Sequence, residues 1–402
     1  RTCRPQLTPG RPRLHSPRRK ARISTEIDAT DQNIRGTLET HAMKTFLLAA
    51  GVMLMCSCSP RHELVIGTYG EHLYRCSFDG DNLTVLGSAE AVNPSYALAC
   101  DGGIFAVSEA GDGSGVYSFG YDSFIKTAEL HQTGADPCFI MVYEGKYLMT
   151  ADYSGGSVSV FPIVDGVLGS LVEQLAFEGC GPISSRQESS HIHQLKTLPG
   201  WQEYILASDL GADVIRLIKV SCDASGLTHA NGIEMSHICD IACPPGSGPR
   251  HMEFSKDGKF MYCIAELSGE VLVYEISEQD GVPTFCLVQQ ILADEVNAGG
   301  SADIHIHPSG KWLYTSHRLD NDGIAIFEIL QDGTLEKTGY ARTARHPRNF
   351  MITADGHHLL VACRDDKVIQ VFSIGPDGCL ALQPARLHFD TDMPSSIVAA
   401  SR

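Results

Sequence analysis

From Glu63 to Arg402 apolar and polar positions follow one recurring phrase. An apolar strand meets a Gly-centred turn, a second strand ends in a charged residue, and a small polar loop leads into a third strand. The clearest copies are Arg250 to Ile276, Asp303 to Ile329 and Arg348 to Ile374. Weaker copies are centred on Gly145, Gly200 and Gly103, and another opens the stretch from Glu63 to Phe78. First strands begin near Pro94, Pro137, His191, Pro249, Ala302, Pro347 and Pro394, a period of about 50 residues. Short alternating strands at this period predict four-stranded blades, none of which buries both faces alone, stacked in a ring. The expectation is an all-β, seven-bladed β-propeller. The first copy lacks an inner strand and the chain ends on an unpartnered one, Pro394 to Ala400, so the two ends are expected to close one blade and remove the open edge. Residues 63–402 then form one domain, because stacked blades share faces.

The text before the ring differs. Residues 1–42 hold nine Lys or Arg against four acids, several Pro and no apolar period, and read as a disordered extension or as upstream sequence not native to the protein. Residues 43–58 read as an export signal: Lys44, an apolar run from Phe46 to Met55 too short to span a bilayer, then Cys56-Ser57-Cys58. That junction resembles a bacterial lipobox, with Cys58 as the lipidated residue. An exported protein, lipid-anchored in the bacterial cell envelope, is the expectation, with membrane contact only through the anchor.

Beyond Cys58 the chain carries 21 basic and 44 acidic residues, a net charge of -23, which argues against nucleic acid as a partner. Eleven cysteines remain, odd in number and scattered singly, so no disulfide framework is implied and buried packing is the expected role. No cofactor is implied. Cys239 and Cys243 have no second pair, and His191 with His193 lacks a third ligand of similar spacing, so no metal site is expected.

In a blade the start of the first strand and the end of the second share one face near the axis. The starts carry His191, His193, Arg250, His251, Asp303, His305, Arg348 and Asn349; the ends carry Glu109, Asp152, Asp209, Glu266, His317, Arg318 and Arg364. The opposite face receives ordinary Asp-Gly and Ser-Gly turns. One mouth therefore holds the groups capable of chemistry, and its arginines suit a small anion. A structural ion pair between Arg250 and Glu266 of the same blade is the competing reading. Alternation along the strand aims His191 and His193 the same way; His305 and His307, ahead of Pro308, read as strand and turn residues. No nucleophile-elbow serine or Gly-rich phosphate loop occurs, which disfavours covalent catalysis.

The phrases SSHIHQLKTLPG, GSGPRHMEFSKDGKFMYCIAELSGEVLVYEI, ADIHIHPSGKWLYTSHR and HPRNFMITADGHHLLVACRDDKVIQVF resemble the seven-bladed lactonase family, which includes propeller-type 6-phosphogluconolactonases and carboxymuconate lactonizing enzymes. The resemblance implies a site made of His191 or His193, Arg250, Glu266 and Arg318. Two positions depart from it: Ser316-His317-Arg318 stands for an SNR-like phrase, and Arg364 replaces a small polar residue. The implied activity is hydrolysis of a small anionic or sugar lactone, of the 6-phosphogluconolactone type. The expected roles are His191 as favoured base, with His193 the other candidate, Glu266 as alternate or orienting partner, and Arg250 at the carbonyl. Arg318 is expected on the substrate's anionic group, with Asp152, Arg348 and Asn349 as further binding residues. Lactone formation from an unsaturated diacid and a non-catalytic binding propeller are the two other readings.

Overall fold

In the computed structural model the described residues are 61–100, 103–222 and 232–400. The stretches expected to be an extension and an export signal, Cys58 included, lie outside them. The described residues fold into seven antiparallel sheets in a ring, so the expected seven-bladed propeller is the fold. Six sheets have four strands. Blade three adds a two-residue strand, Val167–Leu168, that folds back on Ser157–Val164 beside the short outer strand Glu173–Ala176.

Closure follows the expected route. The strand Met393–Ala399 pairs antiparallel with His62–Tyr69 and becomes the innermost strand of blade one. Asp392, just before it, accepts hydrogen bonds from the Glu71 N–H (3.0 Å) and the Tyr74 hydroxyl (2.7 Å) and lies 2.9 Å from His72 Nδ1. Ile397 packs with Leu64 and Ile66 of its own blade and Leu360 and Ile369 of blade seven.

Period-two alternation explains why blades stack. Along Phe260–Ala265, Met261 and Cys263 point into a core shared with blade four, whereas Tyr262 and Ile264 point into one shared with blade six. The same division gives seven apolar clusters, each drawn from two adjacent blades. Each fully buried Leu, Ile or Phe contributes about 1.5–3 kcal/mol, so adhesion between blades is spread around the whole ring. Polar staples add register: the Tyr262 hydroxyl donates to the Gly333 carbonyl of the next blade (3.0 Å), and Tyr314 does the same to Gly378 (2.9 Å). Gly333 has φ +80° and lies against the Phe260 ring, so it meets both the dihedral and the space that a side chain would violate.

No disulfide joins the described cysteines. Cys76, Cys138, Cys243, Cys263 and Cys363 are buried as expected, but Cys180, Cys222, Cys239, Cys286 and Cys379 are exposed. Cys180 and Cys379 fall in loops, Cys239 and Cys286 on outer strands, where alternation places every second residue in solvent, and Cys222 is the last residue of the third strand of blade four.

The inner strands carry a repeated irregularity that decides where the site lies. Pro249 pairs with Ala265 and His251 with Ile264, so Arg250 is an extra residue in the ladder. The same skip occurs at Cys138, His193, Arg348 and Ser395, each second or third from the start of its blade's inner strand. A bulge of this kind re-aims a side chain. In these five blades it turns one residue toward the axis, and blade six shifts register at the same place, between Ser301 and Ile304.

Candidate active site

The mouth formed by strand starts and second-strand ends holds a cavity of about 340 Å³. Tyr69, Glu109, Glu266 and Arg364 reach it from second-strand ends, and His193 and Arg348 from inner-strand bulges. A smaller recess deeper along the axis is lined by His193, Arg250, His251, Arg348 and Asn349.

Glu266 is the organising centre. Its carboxylate contacts Arg186 Nη2 at 2.6 Å, Arg250 Nε at 2.7 Å and Arg318 Nη2 at 3.1 Å. The pair that competed with a catalytic reading, Arg250 with Glu266, therefore exists, although the Arg250 Nε–H is not aligned into a hydrogen bond. Burial would raise the Glu266 pKa, but Arg318, Arg250 and Arg186 outweigh it and hold the carboxyl down to about 2.

His193 is buried at 4% exposure, and its Nδ1 has no hydrogen-bond partner. Its ring meets Tyr153 and His251 edge-on, at 5.7 and 5.2 Å. Burial, then the positive charge of Arg250, pushes its pKa well below the usual histidine range, so the imidazole is neutral. His191 is placed differently. Its ring stacks flat on Tyr153 (4.4 Å, 6°), its Nδ1 lies 2.9 Å from the Tyr153 carbonyl and its Nε2 lies 3.4 Å from Glu188. Tyr153 lines the cavity and His191 does not. The expectation that both histidines point the same way assumed an unbroken ladder, and the bulge at His193 breaks it.

The arginines divide between two tasks. Arg348 lies over the Tyr69 ring (5.1 Å) with its Nη2 3.9 Å from Glu109. Glu109 in turn accepts hydrogen bonds from the Tyr69 and Ser95 hydroxyls, both at 2.7 Å. Arg318 is 5% exposed and donates to the carbonyls of Gly300 (2.8 Å) and Ser301 (3.4 Å) as well as contacting Glu266, so its guanidinium is spent on the protein. Asp152 is also spent: fully buried, it accepts from Thr150, Ser157 and Ser159 and from the Gly134 N–H. Asn349 bridges blades, donating to Asp303 and accepting from the Ile397 N–H (2.7 Å).

Below the recess runs a chain of charges from the same inner strands. Lys196 contacts Glu253 at 2.6 Å, Glu253 and Asp303 flank His305 at 3.0 and 3.1 Å, and Asp303 takes His251 Nδ1 at 2.7 Å. Burial opposes charge on His305, yet Asp303 and Glu253 together raise its pKa to about 10. His251 is pushed down to about 4, by burial first and then by Arg250. His307 joins turns of neighbouring blades through Ser309 and the Gly356 carbonyl, both at 2.8 Å, in line with a turn role. His317 is held between Ser301 and Thr315 within its blade.

The family description "Lactonase, 7-bladed beta-propeller" matches residues 63–398. The chain belongs to this family. A protein of Formosa agariphila named 6-phosphogluconolactonase is 35% identical over 244 residues, covering 60% of this chain and 67% of the relative. Among solved structures, a candidate 6-phosphogluconolactonase of Bacteroides fragilis is 36% identical with TM-score 0.78, covering 86% of this chain and 99% of that one. The periplasmic gluconolactonase of Pseudomonas aeruginosa is 26% identical with TM-score 0.74, covering 85% and 99%. Within this lactonase-family chain, three of the residues that the motifs pointed to, Arg250, Glu266 and Arg318, are in direct contact, and His193 shares the cavity wall with Glu266. Sequence reasoning left out Tyr69, Tyr153, Cys138 and Arg186. Tyr69 ends the second strand of blade one, so the strand-end rule finds it once closure is applied to that blade. Arg186 lies in the loop between blades three and four, where no period marks it.

Proposed function

We propose that this chain hydrolyses a sugar lactone of the 6-phosphogluconolactone type by general-base attack of water. The observation that carries the reading is the cavity in which a neutral imidazole with an unpartnered Nδ1, that of His193, shares a wall with Arg348 and with an arginine-bound carboxylate, Glu266. His193 takes a proton as water adds to the lactone carbonyl, a contribution of about 10²- to 10⁴-fold. Arg250, which lines the recess beside His193, faces the developing oxyanion. The ring C–O bond then breaks and His193 returns the proton to the departing alkoxide, giving the open-chain acid. Glu266 stays ionised, and its carboxylate is engaged in holding Arg186, Arg250 and Arg318. His191 supports Tyr153 rather than the reacting atoms.

A second reading takes an unphosphorylated lactone. It is favoured by the likeness to a periplasmic gluconolactonase together with the export signal proposed for residues 43–58. The test is the full chain incubated with phosphorylated, carboxylated and plain sugar lactones against the spontaneous rate. Acceleration of at least one is expected. Hydrolysis of every lactone at the spontaneous rate overturns the reading and leaves a binding module.

A further inference from the structure

The charges around the cavity do not balance. Five guanidinium groups meet there, those of Arg186, Arg250, Arg318, Arg348 and Arg364. Three carboxylates lie within 4 Å of them, Glu266 among Arg186, Arg250 and Arg318, Glu109 at 3.9 Å from Arg348, and Asp365 at 2.8 Å from Arg364 Nε, while the exposed Glu188 acts on Arg186 only from further off. The histidines add nothing to either side, because burial keeps His193 neutral and lowers His346 to about 3. The deeper cluster of Lys196, protonated His305, Glu253 and Asp303 is balanced within itself. A surplus of two positive charges therefore faces a partly enclosed cavity in a chain whose net charge is -17. Like charges gathered in a pocket repel more strongly than in bulk water, and an anionic ligand relieves that repulsion.

The surplus is also localised. Arg250 and Arg318 are tied to Glu266 and to backbone carbonyls. Arg348 and Arg364 both line the cavity, come from one blade and have only a distant or an exposed acid for a partner. We propose that Arg364, with Arg348 and Arg186, forms a rim subsite for the phosphate monoester of the lactone substrate, and that Arg364 sets the preference for phosphorylated over plain sugar lactones. A phosphate monoester carries close to two negative charges and three acceptor oxygens, which matches both the surplus and the forked donors. This deepens the lactonase reading and rests on it for the identity of the substrate.

Two measurements test it on the full chain. In the first, the ratio of kcat/KM for 6-phosphogluconolactone over glucono-δ-lactone is compared in wild type, Arg364→Ser and Arg364→Lys. The ratio should fall about tenfold in Arg364→Ser, mainly through KM, and recover in part with Lys, which keeps the charge but not the fork. An unchanged ratio overturns the proposal. In the second, calorimetry compares 6-phosphogluconate, gluconate and inorganic phosphate. Wild type should bind 6-phosphogluconate at least about tenfold more tightly than either of the others, with the margin reduced in Arg364→Ser. Equal binding of gluconate and its phosphate overturns the subsite even if lactones are hydrolysed, and inorganic phosphate binding as tightly as 6-phosphogluconate assigns the cations to free phosphate instead. Selective binding without hydrolysis of any lactone upholds the subsite and removes the catalytic reading.

Discussion

Replacing Glu266 by Gln removes one negative charge and almost no volume, yet it leaves Arg250, at 2% exposure, and Arg318, at 5%, buried beside each other without their shared counter-ion. Losing one partner of a buried ion pair costs about 3–5 kcal/mol. Linkage supplies a second estimate. A carboxyl that moves from 4.5 to about 2 on folding contributes about 3 kcal/mol. The sign is that of a depressed acid: the contribution is complete above pH 4.5, declines as pH falls, and is gone below about 2. For a ring of about 340 residues each kcal/mol moves Tm by about 1–2 °C, so Glu266→Gln should melt roughly 4–6 °C below wild type at pH 7. At pH 3 only about 1 kcal/mol of the difference remains and the two curves should nearly converge. Thermal unfolding followed by circular dichroism at both pH values, with lactone hydrolysis assayed at pH 7, checks this. Equal melting temperatures at pH 7, or a gap that does not narrow in acid, would refute the idea that Glu266 is an ionised organiser of the arginines.

His193→Ala should lower kcat/KM for the hydrolysed lactone by about 10²- to 10⁴-fold with unchanged folding, whereas His191→Ala should act more weakly through the loosened Tyr153 ring. Because burial lowers the His193 pKa, wild-type activity should be flat from pH 6 to 8 and fall only in acid; a rise through pH 6.5 in a pH–rate profile would contradict this. Removing residues 392–402 takes away the inner strand of blade one and the Asp392 contacts, and should abolish the cooperative melt seen for the full chain; an unaltered melt would exclude closure as a source of stability. Expressed from Met43, the protein should partition with membranes and take up labelled fatty acid, and Cys58→Ser should abolish the labelling.

Much of the site's neighbourhood is legible once the blade pattern is known. Arg250, Glu266, Arg318 and Arg348 stand at strand starts or second-strand ends, and they do converge on one mouth. Their roles were less legible. Arg318 reads as a free anion-binding group, but its neighbours Gly300 and Ser301 supply carbonyls that claim it. Asp152 reads as a binding residue, but three hydroxyls from its own blade enclose it.

The amino-acid sequence by itself determined the fold, because the signals for strands, turns and blade period are local: alternation within six or seven residues, glycine where φ must be positive, and a repeat near 50 residues. It also determined the closure, through one strand too few at the start and one too many at the end. Only the tertiary structure decided which residue of each strand faces the cavity. That choice rests on a ladder skip at Cys138, His193, Arg250 and Arg348, and a bulge is set by the partner strand's hydrogen-bond register, not by the residue itself. Only it decided protonation as well. Glu266 is held ionised against burial by Arg250 of its own blade, Arg318 of the next and Arg186 of a loop, and His193 is kept neutral by burial and by Arg250 of the next blade, partners that are a few ångströms away only once the blades are stacked.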